Sequence, residues 1–160
     1  MIKVFISHQK EDSCIASRIA NELNAMEIPC YLDLLDFMVT RNGKELTDHI
    51  KRNLNNCTDI IVIMSDATRY SQWVPFEVGM STQKDMPTAT FMSENVCLPE
   101  FLDYWPRLKQ PSDIRKYIAV RKSVLKKSST GANFYKAESY MAESQRSQTE
   151  RFYDLLKRQL

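Results

Sequence analysis

Ile60-Ile61-Val62-Ile63-Met64 is five apolar residues in a row, with none of the alternation of a half-solvated strand. A run of that length and branched content reads as a strand buried on both faces, as in a parallel sheet covered by helices on either side. A polar turn follows, Ser65-Asp66-Ala67-Thr68-Arg69, and then Tyr70-Ser71-Gln72-Trp73-Val74-Pro75-Phe76-Glu77-Val78-Gly79. The second stretch should open a helix with Ser71 as its N-cap. Pro75 falls at the limit of the tolerated first turn, so the start can slip a residue or two later. In a helix, Trp73 and Glu77 share a face. Gly79, one of three glycines in the chain, costs about 1 kcal/mol in a helix interior. That cost predicts a close packing neighbour there. A carboxylate beside an indole, just past the end of a central strand, is a candidate site.

Outward from this stretch the elements alternate. Residues 2–6 form a short β-rich run ending at Ser7-His8. A helix starts near Asp12 or Ser13 and shows Ile15, Ile19, Leu23 and Met26 on one face. Pro29-Cys30-Tyr31-Leu32 reads as a second strand, ending at Asp33. The loop over 34–44 carries the turn signal Arg41-Asn42-Gly43. The helix after it aligns Leu46, Ile50 and Leu54 and sets His49 on its exposed surface. Beyond the helix over 71–84 come a strand at Thr88-Ala89-Thr90-Phe91-Met92 and an irregular stretch broken by Pro99, Pro106 and Pro111. Tyr117-Ile118-Ala119-Val120 reads as a fifth strand, and a last helix covers 137–158.

Such alternation predicts right-handed βαβ units and an α/β, flavodoxin-like, three-layer fold. Its central parallel sheet has four to five strands, with 60–64 the most buried, in a single domain over 1–160. In such sheets ligands bind outside the carboxyl ends of the strands. Ser7 and His8, Asp33, Ser65 and Asp66, and the helix with Trp73 and Glu77 all fall on that edge.

Composition narrows the function classes. With 22 basic and 20 acidic residues the net charge is +2, no signature of nucleic-acid binding. Lys and Arg gather between 107 and 127 with few aromatics among them, which reads as a solvated face. No apolar run reaches the roughly 20 residues of a membrane span, and the N-terminus lacks a signal-peptide core. Cys14, Cys30, Cys57 and Cys97 fit no zinc spacing and read as buried or inert thiols in a reducing cytoplasm.

Several stretches resemble a TIR (Toll/interleukin-1 receptor) domain. Val4-Phe5-Ile6-Ser7-His8 is similar to that family's first box, and the segment over 33–44 sits where its BB loop sits. The strand 60–64 with Ser71-x-Trp73-x-x-x-Glu77 resembles the third strand and the W-x-x-x-E segment of the helix after it. The likeness covers 1–92 closely and the remainder by order of elements. Lys3 stands where many members carry Asp, the loop lacks the Pro-Gly pair of animal receptors, and the last helix has no Phe-Trp box. The first two departures weaken the likeness to animal adaptors and leave untouched the likeness to the bacterial, stand-alone, NAD-consuming type of antiphage defence.

The resemblance implies cleavage of NAD⁺ at the nicotinamide–ribose bond, with the Glu77 carboxylate essential. Nicotinamide leaves from an already cationic pyridinium and needs no proton, so one carboxylate can suffice where glycosidases use two. The partly exposed Glu77 would then stabilise the oxocarbenium-like transition state. Trp73 would wall the site, Phe5 would lie beneath it, and Ser7, His8, Asp33, Ser65 and Asp66 are the further candidates for substrate contact. NAD⁺ is substrate here; no cofactor and no metal are called for. The loop over 34–44, long for a βα connection and carrying Leu34, Leu35, Phe37 and Met38, is expected to serve TIR–TIR self-association. A diffusible ADP-ribose-derived product would reach a separate effector. Two other readings stay open: a non-enzymatic interaction module, and a nucleoside deoxyribosyltransferase-like activity on a related fold.

Overall fold

The structure, a computed structural model, describes residues 1–32, 43–92, 96–129 and 138–160. Asp33 and the apolar residues Leu34, Leu35, Phe37 and Met38 lie outside them, and with them most of the loop assigned to self-association. In chain order the elements are β1 (Val4–Ser7), α1 (Ser13–Ala25), β2 (Cys30–Leu32), α2 (Gly43–Asn55), β3 (Asp59–Ile63) and α3 (Trp73–Gln83). There follow β4 (Thr88–Phe91), the one-turn α4 (Glu100–Asp103), β5 (Arg107–Leu108), α5 (Pro111–Ser129) and α6 (Glu138–Lys157).

The strands pair in parallel in the order β2-β1-β3-β4-β5. This is the flavodoxin-like order, with its direction switch between β1 and β3. β3 sits in the middle and is buried at every residue, as expected of 60–64; β1 and β4 are buried throughout as well. The unbroken apolar run has a simple cause. Ile61 and Ile63 face a core shared with α1, α5 and α6, and Ile60, Val62 and Met64 face a second core under α2 and α3. Both faces of the strand need apolar side chains, so the alternation disappears.

The fifth strand is not where the sequence put it. Tyr117-Ile118-Ala119-Val120 lies inside α5, and β5 is the two-residue Arg107–Leu108. Four apolar residues do not separate a strand from a buried helix turn. The wider spacing decides: Ile114, Tyr117, Ile118 and Val124 all bury into the first core, the 3–4 repeat of a helix. Tyr117 is fully buried beside Phe152 of α6, and burial pushes its phenol well above the usual range.

The basic stretch is mostly solvated, as expected, with one exception. Arg121 turns inward, and its Nε donates to Asp59 Oδ1 at 2.8 Å. The thiols divide. Burial pushes the Cys57 thiol up to about 11 and raises Cys30, whereas Cys14 and Cys97 are exposed rather than buried. Among the described residues no helix is long and apolar enough to cross a membrane.

Gly79 also departs from expectation, since nothing among the described residues packs close to it. A Cβ there would meet no described atom within 4 Å, and its φ is not positive. Gly79→Ala should therefore raise stability by about 0.5–1 kcal/mol through helix propensity alone. Urea denaturation with an unchanged m-value is the measurement; a loss of stability would mean a hidden packing constraint.

Candidate active site

Side-chain alternation along β1 builds the floor of the site. Phe5 and Ser7 point to the α2/α3 face, opposite to Val4 and Ile6. Phe5 is fully buried, its ring 5.4 Å from that of Tyr31, whose hydroxyl lies 2.9 Å from His49 Nε2. His49 is thus half-buried rather than on an exposed surface. Asn53 Nδ2, which can only donate, lies 3.1 Å from the same nitrogen, so Nε2 acts as an acceptor.

Above this floor α3 brings in Glu77. Val74 and Val78 fix the helix against the core beside Phe5, which turns Glu77, one turn on from Trp73, toward the end of β1. Ser7 Oγ donates to Glu77 Oε2 at 2.5 Å, the short distance of a hydroxyl bonded to a carboxylate. The carboxylate is 1 % exposed, not the partly exposed group the sequence suggested. A periodicity argument sees the helix face but not the strand end that closes over it.

The other candidates are distributed around this pair. His8 is buried with Nδ1 3.3 Å from Ile6 O. Trp73 is half-buried, edge-on to the Phe76 ring at 6.0 Å. Ser65 is half-buried and donates to Asp12 Oδ2 at 2.7 Å, and Asp66 stands exposed in the turn after β3. α3 begins at Trp73 rather than Ser71, but Ser71 Oγ still accepts the N–H groups of Trp73 and Val74 at 3.2 Å each. The expected cap chemistry is present one residue further out.

Asp12 and Thr68 went unrecognised in the sequence. Both are buried, and Thr68 Oγ1 donates to the same Asp12 oxygen that Ser65 bonds. The partners are more than 50 residues apart in the chain, and no local pattern marks such a pair.

The chain is similar to several known proteins. The "Putative cyclic ADP-D-ribose synthase TIR2" of Cytobacillus dafuensis is 30% identical over 84 residues, 50% of this chain and 22% of that protein. The chain thus spans less than a quarter of that relative's length. Among solved structures, a 2-deoxyribosyltransferase from Bacillus psychrosaccharolyticus superposes with a TM-score of 0.59 at 11% identity, over 70% of this chain and 89% of its own. That likeness is one of fold. The TIR domains of the activated Roq1 resistosome, described as directly recognising the pathogen effector XopQ, give a TM-score of 0.47 at 14% identity, over 99% and 82% of the two chains. The TIR domain family itself matches residues 4–132, a span holding all five strands and the Ser7–Glu77 pair, and the chain belongs to that family.

Proposed function

We propose that this chain cleaves NAD⁺ at the nicotinamide–ribose bond, with Glu77 as the group that stabilises the charge of the transition state. One observation carries the reading: a buried carboxylate, held by a serine hydroxyl, at the carboxyl edge of the sheet beside its direction switch. As the C1′–N bond breaks, positive charge moves from the pyridinium onto the ribose, and the electron pair leaves with nicotinamide. No proton is required for that departure. A fixed carboxylate stabilises the ribosyl cation, and it does so more strongly where protein rather than water surrounds it. Ser7 holds one carboxylate oxygen in place, so little reorganisation is needed at the moment of reaction.

In this reading Trp73 walls the site, and Phe5, being fully buried, supports it from beneath. His8, Asp33, Ser65 and Asp66 supply further contacts to the substrate. Water adding to C1′ with loss of a proton gives ADP-ribose, whereas attack on C1′ by an adenine nitrogen of the same molecule gives a cyclic ADP-ribose. The product acts on a separate effector in antiphage defence. The cyclic product named for the Cytobacillus dafuensis relative is a chemical precedent.

The second reading, an assembly module without chemistry, draws on the exposure of Tyr70 (77 %) and Phe76 (38 %) near the start of α3. Incubation of the purified chain with NAD⁺, with products identified by mass spectrometry, separates the two. Free nicotinamide with a matching ADP-ribose species is expected. Intact NAD⁺ at concentrations where the chain is self-associated would overturn the enzymatic reading.

A further inference from the structure

Asp12 occupies the N-cap position of α1, where a carboxylate ordinarily bonds the first free amides of its own helix. It makes no such bond. At 4 % exposure, its Oδ2 instead accepts the hydroxyls of Ser65, at 2.7 Å, and of Thr68. Ser65 Oγ in turn accepts the N–H groups of Ala67 and Thr68 at 3.1 and 3.2 Å. Thr68 O accepts the N–H of Ser71 at 3.0 Å, and Ser71 Oγ bonds the first turn of α3. The carboxylate is therefore linked, bond by bond, to the start of the helix that carries Glu77. Glu77 then returns to Ser7, five residues before Asp12 on the same segment.

We infer that Asp12 is a positioning residue: with Ser7 it clamps the segment 65–77 to the segment 7–12 at two points and so sets where the Glu77 carboxylate stands. Ser7 fixes the carboxylate, and Asp12 fixes the entry of its helix. The inference rests on the catalytic reading of Glu77 for its consequence in turnover, and on the hydrogen bonds for its consequence in structure. Both hydroxyls converge on one oxygen of Asp12, so a neutral amide oxygen can accept them both. The clamp needs an acceptor, not a charge.

The test compares Asp12→Ala with Asp12→Asn in the full chain. Asp12→Ala should lower kcat for NAD⁺ about 10- to 100-fold with KM within about twofold, the effect of a displaced catalytic group. Asp12→Asn should restore kcat to within about threefold. Amide exchange over 66–76 should accelerate in the alanine variant alone, with exchange in β4 unchanged in both. If Asp12→Ala does not fold, Thr68→Ala removes one of the two bonds and should show a smaller change in the same two readouts. Wild-type kcat and exchange in Asp12→Ala, or equal damage in Asp12→Asn, would overturn the clamp. A wild-type chain that leaves NAD⁺ intact would defeat the catalytic reading instead, and amide exchange would then decide the clamp by itself.

Discussion

Glu77→Gln should lose at least about 10²–10³ in kcat for NAD⁺ cleavage while melting at or slightly above the wild-type temperature. The two halves of this result have different causes. The amide keeps the shape of the side chain and an oxygen for the Ser7 hydroxyl, so the local packing survives. It also removes a negative charge from a site that is 1 % exposed, and a buried charge ordinarily lowers stability. What it cannot do is stabilise positive charge that develops only in the transition state, the interaction on which kcat depends in the proposed reading. KM should move little. Trp73→Ala should behave differently, lowering both turnover and melting temperature, because it deletes a large apolar contact with Phe76 and, in the proposed reading, a wall of the site as well. The decisive measurement is steady-state kinetics beside a thermal melt. A Glu77→Gln protein that makes the same product at near wild-type rate would remove the catalytic assignment. A large drop in melting temperature with normal activity per folded molecule would mark the residue as structural.

The largest effect on stability should come from the opposite edge of the sheet. Asp59, fully buried at the start of β3, accepts Arg121 Nε at 2.8 Å, the Tyr117 hydroxyl at 3.0 Å and the Thr58 hydroxyl at 2.7 Å. Arg121 also lies over the Phe152 ring, 5.8 Å from its centre, so one guanidinium joins β3, α5 and α6. Removing one partner of a buried ion pair leaves the other charged and uncompensated, which typically costs about 3–5 kcal/mol. For a chain of this size that corresponds to a fall in melting temperature of roughly 6–20 °C. Arg121→Ala should show it, with turnover per folded molecule unchanged, because the pair sits at the far end of β3 from Ser65. Combining Arg121→Met with Asp59→Asn should recover more than half the loss, since no buried charge remains and the amide oxygen still accepts from Tyr117. Calorimetry on the single and double variants checks this. A double variant no more stable than Arg121→Ala would show that packing, not charge, held the helices together.

The sheet was legible because its signal is local. Ile60-Ile61-Val62-Ile63-Met64 has to be a doubly covered strand, and the spacing of the elements around it allows few topologies besides a parallel α/β sheet. Short apolar runs are the weak point of such reasoning. Tyr117-Ile118-Ala119-Val120 satisfies strand and helix alike over four residues, and only the buried positions on either side of it, Ile114 and Val124, show the helical repeat. Gly79 failed for a related reason: a propensity cost predicts a compensating contact, but a helix packed by Val74 and Val78 tolerates the cost without one.

The site divides along the same line. By itself the sequence determined that Ser7, Ser65, Trp73 and Glu77 share the carboxyl edge of one sheet, because strand ends and helix starts follow from periodicity and turn chemistry. Only the tertiary structure decided that Glu77 is buried, that Ser7 rather than solvent holds it, and that Asp12 leaves its own helix to bind Ser65 and Thr68 across more than 50 residues. Hydrogen bonds between distant segments depend on how far each strand end projects past its neighbour and on which hydroxyl reaches an acceptor first. Those are properties of the packed chain, set by the register of β1 against β3, and no window of the sequence contains them.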